Sequence, residues 1–129
     1  MISKNLTSFI LISLGAALGA NLRFLMITKI SFWKENKPLK VLLVNLVSSF
    51  IIGLSIPIVL NKNLSYGQNL IFLFLFGFIG SLSTFSTFIN DLYKLTLKKN
   101  FKYSLALIFL SIFLGLIFLH LGYLLSNAL

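Results

Sequence analysis

Phe76-Gly77-Phe78-Ile79-Gly80-Ser81-Leu82-Ser83-Thr84-Phe85-Ser86-Thr87-Phe88 sits in the middle of an apolar run from about residue 70 to 92. That run matches the ~20 residues that cross a bilayer core. Five of the seven residues from Ser81 to Thr87 carry hydroxyls, and two glycines precede them. Hydroxyls fold back onto carbonyls within a helix, so one reading is an ordinary bent helix. Glycines followed by serial hydroxyls at mid-depth also suit a broken helix. Irregular backbone at membrane depth is tolerated only where it is buried in protein or lines a cavity. Carbonyls freed at such a break can hold a hard cation such as sodium. Phe85 and Phe88 are three apart and share a face of any helix that resumes there. Their ring edges carry partial positive charge, which can face a small anion without a fixed cation to trap it.

Outward from this passage, three more apolar runs span about residues 6–28, 39–60 and 103–126. The fold class is therefore an all-α membrane protein with four transmembrane helices, the third broken near mid-membrane. The loops are short, and residues 1–129 form a single domain. Composition agrees: 58% of the residues are hydrophobic and 10% charged, where soluble domains have about 45–50% and about 25%. Mean hydropathy is +1.01. These values exclude a soluble enzyme and a disordered tail. The chain has no cysteine, one histidine and two acids, Glu35 and Asp91, which leaves almost nothing for acid–base chemistry. The net charge of +9 comes from cations clustered between the apolar runs. They read as loops facing anionic lipid rather than as a nucleic-acid surface. Lys4 and the small-residue run Gly15–Ala20 imitate a signal peptide, but apolar residues continue past Arg23 and suit a retained helix. Gly15 and Gly19 allow close helix packing.

Polar groups inside the spans are the functional candidates. Arg23, near the end of the first span, either snorkels to the headgroups or stands at the mouth of an anion path. Asn45 in the second span offers either an interhelical hydrogen bond or a donor to a passing anion. Ser111, midway along the fourth, either bonds the carbonyl one turn back or donates to an anion. Pro57 kinks a helix end, and His120 reads as interfacial. No arrangement suggests a zinc site.

The string Gly80-Ser81-Leu82-Ser83-Thr84-Phe85-Ser86-Thr87-Phe88 resembles the signature of the Fluc or CrcB family of fluoride channels, roughly G-x-x-T-T-F-S-T-F. Gly15 through Arg23 resembles the family's G-x-x-x-G-A-x-x-R segment, and Val44 through Gly53 its V-N-x-x-G-S-F-x-x-G segment. The resemblance implies an antiparallel dimer with two fluoride pores and a central structural sodium ion. By position it assigns the sodium to main-chain carbonyls of Gly80 and Ser83. It places Asn45, Phe85, Phe88 and Ser111 along the pore and Arg23 at the vestibule. The chain departs from the pattern at Ser48, where the family has glycine. It also departs on the fourth helix, where Leu107 and Gly115 stand at two of three usually polar positions. Asp91 falls where many members carry a glutamate.

The expected function is a fluoride-selective channel subunit, not an enzyme, giving passive efflux that lowers cytoplasmic fluoride. Its expected place is the bacterial plasma (inner) membrane. A small multidrug exporter is the alternative, but it needs a carboxylate in the first helix, which is absent here. A non-transporting assembly subunit would not need the hydroxyl-rich break. Lys4 and Lys62 fall on the side of the termini, whereas Lys29, Lys34, Lys37, Lys40, Lys94, Lys98, Lys99 and Lys102 fall on the other. Lys/Arg bias in short loops sets orientation, so both termini are expected outside. An antiparallel dimer then calls for a homologous, oppositely oriented partner; a homodimer despite the bias is the alternative.

Overall fold

The computed structural model describes residues 2–29, 37–60 and 66–128. Five helices cover them: α1 (Ile2–Lys29), α2 (Lys37–Leu60), α3 (Tyr66–Leu82), α4 (Phe85–Leu97) and α5 (Phe101–Ala128). Four stretches are long and apolar enough to cross a membrane: Asn5–Lys29, Lys37–Ile58, Leu73–Leu97 and Phe101–Ala128. The third joins α3 and α4 across a short interruption at Ser83 and Thr84. The protein is a multi-pass, all-helical membrane protein.

The third span runs farther than the apolar run alone suggests. Helix α4 continues to Leu97, with Lys94 in its last turn, where a cation favours the helix dipole. Residues 98–100 alone connect it to α5. The turn places Lys99 at φ 57°, and the Lys99 and Asn100 amides bond the Thr96 and Leu95 carbonyls. Lys37 and Lys40, read as loop cations, belong to the start of α2. Lys40 is buried. Its Nζ donates at 3.2 Å to the Ile27 carbonyl, one of the last-turn carbonyls that α1 leaves without a helical donor. Lys34, Glu35 and Lys62 lie outside the described residues.

Two helix pairs carry the packing: α1 against α3 and α2 against α5. In lipid no hydrophobic effect drives such pairs together, so close backbone approach over small residues must supply the attraction. A Cβ on Gly15 would fall on the Phe74 carbonyl, and one on Gly77 on the Ile12 carbonyl. On the other pair, Gly53 seats on the Leu119 carbonyl and Gly122 on that of Phe50. Gly15 meets Phe74 and Gly19 meets Phe78, while Gly115 faces Ser49 and Gly53 meets Leu119, so residue numbers rise together in each pair and the paired helices are parallel. A buried cluster of Val41, Phe88, Leu92 and Leu107 joins α2, α4 and α5. Much of α1 and α5 is left exposed, as befits surfaces that meet lipid or another subunit.

Candidate functional site

The site is organised by the interruption of the third span. Thr84 is extended, at φ −143° and ψ 110°, and caps α4. Its Oγ1 accepts from the Thr87 amide at 3.3 Å and donates to Thr87 Oγ1 at 3.1 Å. This is the usual satisfaction of an orphan donor at a helix start. The Thr84 amide itself leaves the helix ladder and donates to Asn45 Oδ1 at 3.1 Å. The Ser83 hydroxyl donates to the same oxygen at 3.3 Å. Both hydroxyl readings therefore hold, at different residues: Ser81 bonds back to the Phe78 carbonyl at 3.0 Å, while Ser83 and Thr84 build the break.

Two diverted amides have a consequence for the carbonyls. In an unbroken helix the Thr84 amide would bond the Gly80 carbonyl, and the Thr87 amide that of Ser83. Here those donors go to Asn45 and to the Thr84 hydroxyl. The Gly80 and Ser83 carbonyls thus lose their helical partners. Gly80 is exposed, and a Cβ there would meet nothing within 4 Å. It lines an apolar groove of about 430 Å³ with Ile52, Ile56 and Phe76.

Asn45 is interhelical, as one reading held, and it keeps a second capacity. Because Oδ1 faces two donors, the amide NH₂ must point elsewhere, and it has no hydrogen-bond partner among the described residues. Asn45 lines a cavity of about 560 Å³ together with Phe85, Phe88 and Ser111. All four residues proposed from sequence for one path therefore meet in one space. Phe85 is 76% exposed and Phe88 8%, so the two rings that share a helix face differ in burial. Ser111 does not bond back to the carbonyl one turn earlier. Its hydroxyl has no hydrogen-bond partner among the described residues, whereas those of Ser48 and Ser55 bond the carbonyls of Val44 and Ile51.

Ser49 also lines the cavity and was not singled out from sequence. Its spacing of four from Asn45 was the available signal. Arg23 is half-buried on α1 and does not line this cavity. His120 is exposed at the far end of α5, its ring 6.5 Å from that of Tyr123. Among the described residues no three His, Cys, Asp or Glu side chains gather.

A third, polar pocket of about 290 Å³ lies at the end of the bundle where α2 begins and α4 ends. Lys37, Asp91, Lys94, Lys98 and Tyr103 line it. Asp91 is buried, with Lys37 and Lys94 as its charged neighbours. Its Oδ2 has no hydrogen-bond partner among the described residues.

The family described as CrcB-like protein, Camphor Resistance (CrcB), matches residues 10–123. The chain belongs to the CrcB family. A relative from Prochlorococcus marinus named fluoride-specific ion channel FluC 2 is 36% identical over 113 residues, covering 87% of this chain and 91% of the relative. The fluoride-specific ion channel FluC of Acinetobacter baylyi is 39% identical over 102 residues, or 79% of each chain. FluC 1 of Listeria monocytogenes serotype 4b is 34% identical over 124 residues, covering 94% of this chain and 98% of the relative. These CrcB relatives are channels rather than enzymes.

Proposed function

We propose that this CrcB protein is a fluoride-selective channel subunit whose passive efflux lowers cytoplasmic fluoride. The observation that carries this reading is the meeting of Asn45, Phe85, Phe88 and Ser111 in one cavity, with the Asn45 amide and Ser111 hydroxyl uncommitted. Fluoride is small and strongly hydrated, so a pore must replace its water with hydrogen-bond donors. Amide, hydroxyl and ring edges do so weakly and in series, which conduction requires. Among the described residues no lysine or arginine lines the cavity to trap the ion. Arg23 stands at the vestibule, where it draws anions without holding them in the path.

The structural cation in this reading is sodium, held by the Gly80 and Ser83 carbonyls at the dimer axis. Support comes from their loss of helical donors and from the open space around Gly80. A bound sodium would supply fixed positive charge that ties two subunits together. The assembly is an antiparallel dimer in the bacterial inner membrane. Lys37, Lys94 and Lys98 gather in one pocket at one end. That is the end expected in the cytoplasm, which leaves both termini outside. So strong a bias favours a homologous partner of opposite orientation over a homodimer.

A multidrug-type exporter is disfavoured because α1 contains no carboxylate. A non-transporting assembly subunit is separated by experiment. Liposomes holding the purified protein with a co-expressed homologous subunit should release fluoride but not chloride when potassium is shunted, with liposomes of the protein alone measured beside them. No release from either preparation rejects the channel reading.

A further inference from the structure

Helices α2 and α5 show the same order of residues toward the end of the bundle that holds the lysines, and α4 borders both spaces they define. On α2, Asn45 and Ser49 line the cavity, Val41 is sealed at 0% exposure, and Lys37 lines the polar pocket. On α5, Ser111 and Gly115 line the cavity, Leu107 is 2% exposed, and Tyr103 lines the pocket. On α4, Phe88 and Leu92 wall the cavity, and Asp91, Leu95 and Lys98 wall the pocket. Cavity and pocket therefore lie in series, and the cluster of Val41, Phe88, Leu92 and Leu107 stands between them. Neither Val41 nor Leu107 touches either space; together they fill what separates the two. At the other end, Gly53 seats on the Leu119 backbone, and Leu119 is also a cavity wall.

We propose that Leu107, with Val41 and Leu92, forms an apolar plug that closes this chain's anion path between the donor-lined cavity and the lysine pocket. The inference rests on the channel reading above. The lysine pocket is the cytoplasmic mouth that collects anions, and Asp91 keeps it from holding them. A constriction of aliphatic side chains offers no donor to replace fluoride's water and gates by exclusion of water. The path lined by this subunit is then shut at rest, and flux through a complex passes along the partner's helices.

The test is fluoride efflux from liposomes holding the full chain, read with a fluoride electrode. Leu107→Ser removes the bulk and adds a hydroxyl; Val41→Thr adds a hydroxyl at nearly constant volume and guards against misfolding of the first. Each is expected to raise efflux at least about tenfold over the wild type, a barrier change of about 1.4 kcal/mol. Adding Asn45→Asp to either should remove the gain, because the opened route runs through the cavity. Wild-type protein that conducts freely, with both monodisperse variants conducting no faster, overturns the plug and leaves the channel reading intact. Absence of fluoride release from every form, partner complex included, overturns both.

Discussion

Asn45→Asp separates two roles that the wild-type side chain combines. The Asp carboxylate keeps an oxygen where Oδ1 accepts from the Thr84 amide at 3.1 Å and the Ser83 hydroxyl at 3.3 Å. Those bonds become charge-assisted, so the helix break should survive. What changes is the other end, where an NH₂ facing the cavity becomes a second oxygen carrying negative charge. Two unit charges 4 Å apart repel by about 4 kcal/mol at an effective dielectric constant of about 20. By transition-state arithmetic, that lowers fluoride passage by roughly a thousandfold, before the two lost donors are counted. In a complex shown to need this subunit's path, or in the Leu107→Ser background, fluoride release from liposomes should therefore vanish while the protein still elutes as a single species. Asn45→Ala makes the complementary change. It leaves the Thr84 amide unpaired in a part-buried setting, at about 1–3 kcal/mol, so thermal stability in detergent should fall along with flux. If Asn45→Asp conducts at the wild-type rate in a complex shown to need this subunit's path, the amide donates nothing to the ion. If it unfolds more readily than Asn45→Ala, the tie to Thr84 has been misassigned.

Ser83→Ala removes one acceptor contact of Asn45 but leaves the Thr84 amide in place, a loss of about 0.5–1.5 kcal/mol. Assembly and a sodium dependence of stability should both persist; their disappearance with expression intact would give the hydroxyl a role as ligand. Gly15→Val places side-chain atoms against the Phe74 carbonyl and should cost at least about 1–3 kcal/mol by overpacking, read as loss of a monodisperse species on size exclusion. Lys99→Gly relieves a left-handed residue at φ 57° and should add about 1 kcal/mol, seen as a higher unfolding midpoint in detergent. Single cysteines at Asn36, which lies outside the described residues, and Asn100 should react with impermeant reagent only from the cytoplasmic side of intact or inverted membranes. Equal labelling from both sides rejects a fixed orientation.

How far the sequence can be read follows from which constraints are local. Bilayer thickness acts on run length, so the four spans are visible in a one-dimensional pattern. The hydroxyl string marks the break because the cap at Thr84 is satisfied by Thr87, three residues on. The tie from Asn45 to Ser83 and Thr84 is different. It joins residues 38 and 39 apart and depends on which faces of two helices meet. Residue type alone cannot tell Ser48 from Ser49. One bonds the Val44 carbonyl at 2.9 Å and is sealed from solvent; its neighbour faces the cavity. Helix length beyond Leu92 is hidden for a related reason. Apolarity fades after Leu92, whereas the helix is carried onward to Leu97 by its own hydrogen bonds and a favourably placed Lys94.

Glycines supply the missing phase. Gly53 and Gly122 bring the α2 and α5 backbones together at Leu119 and Phe50, and that contact leaves each helix one rotation about its axis. Gly53 lies on the same i+4 ridge of α2 as Ser49, Asn45, Val41 and Lys37. Once the glycine is seated, the residues above it on the ridge are committed in turn: hydroxyl and amide to the cavity, valine to the plug, lysine to the pocket. On α5 the ridge of Tyr103, Leu107, Ser111 and Gly115 continues to Leu119, the residue whose carbonyl Gly53 meets, so the same contact commits it. The glycine contacts between α2 and α5 thus aim the polar groups of the path. A bulky residue at Gly53 should misdirect Asn45 even though the two are eight positions apart. The chemistry of the cavity and the packing of the helices are one arrangement, and neither can be altered at Gly53 or Gly122 without altering the other.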